Sequence, residues 1–128
     1  MPSKNHIGSF NASLSLYVNG GGWISQRRLE LLAAIGRTNS IARSAKLIGM
    51  SYRGAWVAVE AMNNLAGVPL VTSWRGGHGG GRAELTSVGR RLVDELDRRS
   101  ALQTWLFAVL DEDETLNDIH KLLSGYLK

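Results

Sequence analysis

Gly49 stands between two helix-forming stretches that are each opened by a serine, Ser40 and Ser51. Ile41, Ala45 and Ile48 are spaced i, i+4, i+7 and share one helical face, so a helix of about nine residues is expected after Ser40. Gly49 follows directly, where a left-handed residue is needed to stop a helix without a Cβ clash. Ser51 then caps a further helix reaching to Leu65, and Gly67 and Pro69 end it. Two helices that cross steeply after a three- or four-residue turn need a small residue at closest approach and a glycine at the corner. Ala45 and Gly49 meet those needs, and Met50, Ala55 and Ala58 fall on the inward side. Ala-x3-Gly by itself is common by chance; with caps on both helices and apolar residues in phase, the pattern points to a helix-turn-helix.

The flanks extend it. Ala12–Asn19 alternates, with Leu14, Leu16 and Val18 on one face, which is the period of a half-buried strand ended by Gly20–Gly22. Ser25 is placed to cap a helix from Gln26 to Thr38, with Leu29, Leu32, Ala33 and Ile35 or Gly36 as its inward stripe. Beyond Gly67, Pro69–Trp74 reads as a strand, Arg75–Arg82 as its loop and Ala83–Leu85 as the return, which together form a hairpin wing. Thr86 and Ser87 open a long helix whose Val88, Leu92, Leu96, Leu102, Leu106 and Val109 or Leu110 are read as one continuing apolar seam. The acidic run Asp111–Glu114 interrupts it, and Thr115 opens a terminal amphipathic helix with Leu116, Ile119, Leu123 and Tyr126 or Leu127 on one side. No internal repeat is present. The expected fold is mainly α with a small β component: a winged helix-turn-helix, a long C-terminal dimerisation helix and a terminal amphipathic helix. Residues 1–11 are expected to be a flexible N-terminus, 12–90 the DNA-binding domain and 91–128 a helical dimerisation extension.

On a helical wheel of about 100° per residue, Val59 and Met62 lie with Ala55 toward the core, while Arg53, Val57, Glu60 and Asn64 point the other way. The N-terminal turn of a recognition helix is the part that meets base edges in the major groove. Arg53 is therefore the candidate for base or phosphate contact, and Ser51 with the leading helical amides for phosphate. Tyr52 suits a thymine methyl or a sugar-phosphate edge. Trp56, at the boundary of the two faces, fits either core-edge packing or readout. Ser40, Arg43 and Lys46 on the preceding helix are placed to grip phosphates.

The loop from Arg75 to Arg82 has several readings. It lacks the Gly-Lys-Ser/Thr ending of a Walker A loop. His78 and its three following glycines mimic an esterase oxyanion-hole motif, but the chain has no Gly-x-Ser-x-Gly elbow. An anion nest of successive amides and a plain exposed turn remain open. As a wing, a glycine-rich tip carrying Arg75, His78 and Arg82 would follow a phosphate strand or enter the minor groove.

Charge agrees with a polyanionic partner. Residues 1–99 carry 13 Lys/Arg against 6 Asp/Glu, whereas residues 100–128 carry 2 against 5. The basic set is mostly arginine, whose planar fork matches phosphate and guanine edges. A solvated basic face is the alternative on charge alone. The chain has no cysteine, no run long enough to span a bilayer and no apolar stretch typical of a secretory signal, so a cytoplasmic location without membrane attachment is expected. His6, His78 and His120 lie far apart without neighbouring ligands, so neither a metal nor a cofactor is expected. No paired carboxylates or activated nucleophile stand out, and no enzymatic activity is expected.

The pieces Gly49-Met50-Ser51-Tyr52-Arg53, Ala55-Trp56 and Met62-Asn63 are followed by Gly76-Gly77-His78-Gly79-Gly80-Gly81 and Leu85-Thr86-Ser87-Val88-Gly89. Over residues 12–110 the chain resembles the N-terminal DNA-binding domain of the molybdate-responsive ModE regulators, within the LysR-type winged helix-turn-helix group. The resemblance implies a homodimer on a roughly palindromic operator in double-stranded DNA, with one recognition helix per half-site. It places Ser51, Tyr52 and Arg53 at the start of that helix and residues 75–82 in the wing. Longer members of the family continue into small β-barrel modules that bind molybdate. This chain stops at Lys128 without such a segment, so direct molybdate binding is not expected, and molybdenum-related target genes are a family-based expectation. Two rivals accompany this reading: a protein-interaction module that heterodimerises with a full-length regulator, and an oxyanion sensor using the glycine loop or the dimer interface.

Overall fold

The computed structural model describes residues 12–74, 81–111 and 125. In order, the elements are β1 (Leu16–Tyr17), β2 (Trp23–Ile24), α1 (Gln26–Thr38), α2 (Ile41–Ile48), α3 (Tyr52–Ala66), β3 (Val71–Trp74), β4 (Arg82–Leu85) and α4 (Ser87–Asp111). The described residues fall into two units, one of residues 13–97 and another that holds the helical residues from 98 on.

The first unit is built on three capped helices. Ser25, Ser40 and Ser51 each accept a backbone amide three residues on, from Arg28, Arg43 and Gly54. Each such cap is worth about 0.5–2 kcal/mol. Gly49 ends α2 at φ 70°, and its amide donates to the carbonyls of Ala45 and Lys46. The α1 helix contributes the innermost side chains: Leu31, Leu32 and Ile35 are fully buried. They pack with Ile41 and Ala45 of α2 and with Ala55, Ala58, Val59 and Met62 of α3. Full burial of a Leu or Ile contributes about 1.5–3 kcal/mol, so this cluster dominates the fold's stability. The buried Ser44 shares a 2.7 Å hydroxyl–hydroxyl hydrogen bond with Thr38, which satisfies it at the α1–α2 corner.

Two antiparallel hairpins flank the helices. The expected strand over 12–19 is only two residues long. It pairs with Trp23–Ile24, so Gly20–Gly22 form the turn of a hairpin rather than a terminator. The second hairpin is the wing, with Val71 opposite Leu85 and Trp74 opposite Arg82. Arg82 therefore belongs to the returning strand and not to the loop. Cross-strand pairing reached one residue further because Arg82 stands opposite Trp74.

The wing is anchored from three sides. The Asn63 side chain accepts the amides of Leu70 (2.8 Å) and Val71 (3.3 Å) and donates to the Val71 carbonyl (3.2 Å). The Ala83 amide donates to the Asn39 carbonyl at the end of α1. Thr86 donates its hydroxyl to the Pro69 carbonyl and its amide to the Leu70 carbonyl, and its oxygen accepts the Gly89 amide.

The apolar residues of α4 do not form one seam. Leu92, Val93 and Leu96 are half-buried against the core of the first unit. The six-residue step from Leu96 to Leu102 turns a helix by about 600°, which leaves the two residues about 120° apart. Leu102, Trp105, Leu106 and Val109, in the second unit, are all exposed and spaced i, i+3, i+4, i+7, a stripe of their own. The terminal helix expected after Thr115 lies outside the described residues.

Candidate nucleic-acid interface

The α3 helix presents two faces, as its spacing requires. Ala55, Ala58, Val59 and Met62 are buried, whereas Tyr52, Arg53, Val57, Glu60 and Asn64 are exposed. Its first turn is therefore tied to the body from behind while Ser51, Tyr52 and Arg53 project outward. The corner before it is held by Arg27, whose guanidinium donates to the Gly49 carbonyl at 2.8 Å.

On α2, Arg43 and Lys46 are exposed, and Ser40 is half-buried at the N-cap. Tyr52 and Trp56 meet edge to face, with ring centroids 6.3 Å apart. Trp56 is half-buried and packs against the core, so the structure places it at the core edge, with part of its surface still outward. Arg82 is exposed and forms a 2.7 Å ion pair with Glu84, its neighbour two positions along β4. Arg75 and His78 lie outside the described residues.

The structure thus gathers Ser40, Tyr52, Trp56 and Arg82 around one groove, with Arg43 and Arg53 exposed on the flanking helices. Lys46 lies one turn further along α2. Sequence reasoning missed Asn63, Glu84, Trp74 and Arg27. Asn63 had one local sign, an amide beside the inward-facing Met62. Trp74 ends a strand pattern, and no local signal marks it as lining a groove. Among the described residues, no three His, Asp or Glu side chains are grouped to hold a metal ion, and no helix is long and apolar enough to cross a membrane.

Three capped helices, an outward first turn on the third and a hairpin fastened beside it define a winged helix-turn-helix of the DNA-binding kind. A model of the bacterial regulatory helix-turn-helix proteins of the lysR family matches residues 26–90, half of the chain, and the chain belongs to that family. Among curated relatives, the molybdenum transport protein ModE of Azotobacter vinelandii is 45% identical over 98 residues, which cover 73% of this chain and 36% of the relative. The molybdenum-pterin-binding protein MopB of Rhodobacter capsulatus is 49% identical over 73 residues, 57% of this chain and 27% of its own length. The DNA-binding transcriptional dual regulator ModE of Escherichia coli K12 is 42% identical over 90 residues, 70% and 34%. The chain thus spans about a third of the length of these relatives. In fold it is similar to the BenM DBD in its complex with catB site 1 DNA, at a TM-score of 0.54 and 13% identity over 66% of this chain and 89% of that one. It is likewise similar to ArgP from Mycobacterium tuberculosis, with TM-score 0.54, 16% identity and coverage of 66% and 30%.

Proposed function

We propose that the chain acts as a sequence-specific DNA-binding transcriptional regulator, working as a homodimer in the cytoplasm on genes of molybdenum metabolism. The observation that carries this reading is the outward first turn of α3, with Ser51, Tyr52 and Arg53 beside a firmly anchored wing. That turn docks in the major groove. Arg53 reads base edges, and Ser51, Ser40, Arg43, Lys46 and Arg82 contact phosphates with the wing residues Arg75 and His78.

The exposed stripe of Leu102, Trp105, Leu106 and Val109 supports dimerisation, since four large apolar groups at heptad-like spacing favour a second helix of the same kind. Residues 12–90 then form the reading domain and 91–128 the helical extension that joins the protomers. Two-fold symmetry would space the half-sites by one helical turn or a multiple of it. The molybdenum assignment rests on the names of the relatives, and direct molybdate binding is no part of the proposal.

Selection of bound fragments from genomic DNA, followed by titration of the selected site against random duplex, tests the reading. A regulator of this kind prefers its selected site by about 10³-fold or more. Equal affinity for every duplex would overturn sequence-specific regulation.

A further inference from the structure

An open groove of about 270 Å³ lies in the first unit where the starts of α2 and α3 meet the base of the wing. Its walls include Tyr52, Trp56 and Trp74, together with Ser40 and Arg82. Tyr52 and Trp74 leave 56% and 52% of their surfaces exposed, an unusual cost for rings of this size outside a contact surface. Among the described residues, those lining the groove include one cation and no acid, and the nearby Glu84 is already paired with Arg82.

We propose that this groove seats one sugar-phosphate step of the bound duplex, with the three rings packed against deoxyribose and the flanking phosphates held by Arg82 and the start of α2. This deepens the DNA-binding reading and rests on it. A strand that leaves the major groove at α3 and reaches the wing must cross the space between them, and the groove occupies that space. Deoxyribose offers an apolar face at its 2′ carbon, which packs on aromatic rings without an unpaired hydroxyl. Phosphate suits Arg82, and the Ile41 and Ala42 amides, ahead of the Arg43 amide that Ser40 takes, have no acceptor within their own helix. Base edges are less suited to the site, because Tyr52, Trp56 and Trp74 offer mostly carbon faces with few directed donors.

The contact is blind to sequence, and that makes it testable. Trp74→Ala is expected to weaken the selected site and random duplex by the same factor, about 5- to 30-fold, as for the loss of one packed ring. Trp74→Phe should recover most of the affinity. Hydroxyl-radical footprinting of the wild-type complex should protect one or two deoxyriboses per half-site between the α3 and wing contacts, and Trp74→Ala should lose that protection. A loss confined to the selected site would mean that the rings read bases, and would overturn the proposal. Tighter binding of single-stranded DNA than of duplex would point to a stacked, unpaired base and would also overturn it. Wild-type footprints without sugar protection there would do the same, with no dependence on how the variants fold. If the wild type binds no duplex at all, the DNA-binding reading itself fails. Normal wild-type binding that Trp74→Ala leaves untouched removes the groove alone.

Discussion

Asn63 on α3 accepts the Leu70 amide at 2.8 Å, and this single side chain fixes where the wing leaves the recognition helix. The same amide group also engages both polar atoms of the Val71 backbone. Replacing Asn63 with Leu should therefore cost about 1–3 kcal/mol, because half-buried backbone groups lose their partners. Urea denaturation measures the loss. An unchanged midpoint would show that water replaces the amide freely.

Gly89 and Gly49 should respond to alanine for different reasons. A β-carbon at Gly89 would overlap the Leu70 carbonyl oxygen, which is backbone and cannot swing away. At Gly49 there is open space, but φ is 70°. Gly89→Ala is expected to cost about 1–3 kcal/mol through displaced backbone, and Gly49→Ala about 1–2 kcal/mol through conformation alone. Gly49→Asn should be milder than Gly49→Ala, since asparagine tolerates the left-handed region. Gly89→Asn should be no better than Gly89→Ala. Thermal melts of the four variants check the contrast.

Arg53→Ala should lower discrimination between selected and random duplex by about 1–3 kcal/mol while barely changing stability. Its side chain is exposed and outside the core, so melting should be unaffected. Equal weakening on both duplexes would assign Arg53 to phosphate.

Glu84 restrains Arg82 in an ion pair whose side chains are 66% and 40% exposed. Such surface pairs contribute about 0–1 kcal/mol, so Glu84→Gln should leave stability nearly unchanged. Freed of its partner and of a nearby negative charge, Arg82 should bind duplex more tightly. The gain should be larger at low salt than at high salt. Titrations by fluorescence anisotropy at several salt concentrations would reveal this, and unchanged affinity would remove Arg82 from the contact surface.

Trp105→Lys places a charge in the exposed stripe of α4, beside Leu102, Leu106 and Val109. Sedimentation should show dimers of the parent chain dissociating in the variant at micromolar concentration. A parent chain that is monomeric throughout would leave that stripe to another use.

Much of the helical frame was legible locally. Ser25, Ser40 and Ser51 cap the helices they were expected to cap, and Gly49 and Gly67 end them, because caps and left-handed stops depend on a few adjacent residues. The inward stripe of α3 followed from its period alone. Tertiary structure decided the rest. The pairing of Leu16–Tyr17 with Trp23–Ile24, the Asn63 clamp and the close approach of Gly89 to Leu70 all join elements that no local pattern relates. So does the meeting of Tyr52, Trp56, Trp74 and Arg82 at one groove. Helix propensity and capping act within a turn or two of the chain, whereas strand pairing and shared grooves depend on which distant segments the core brings together.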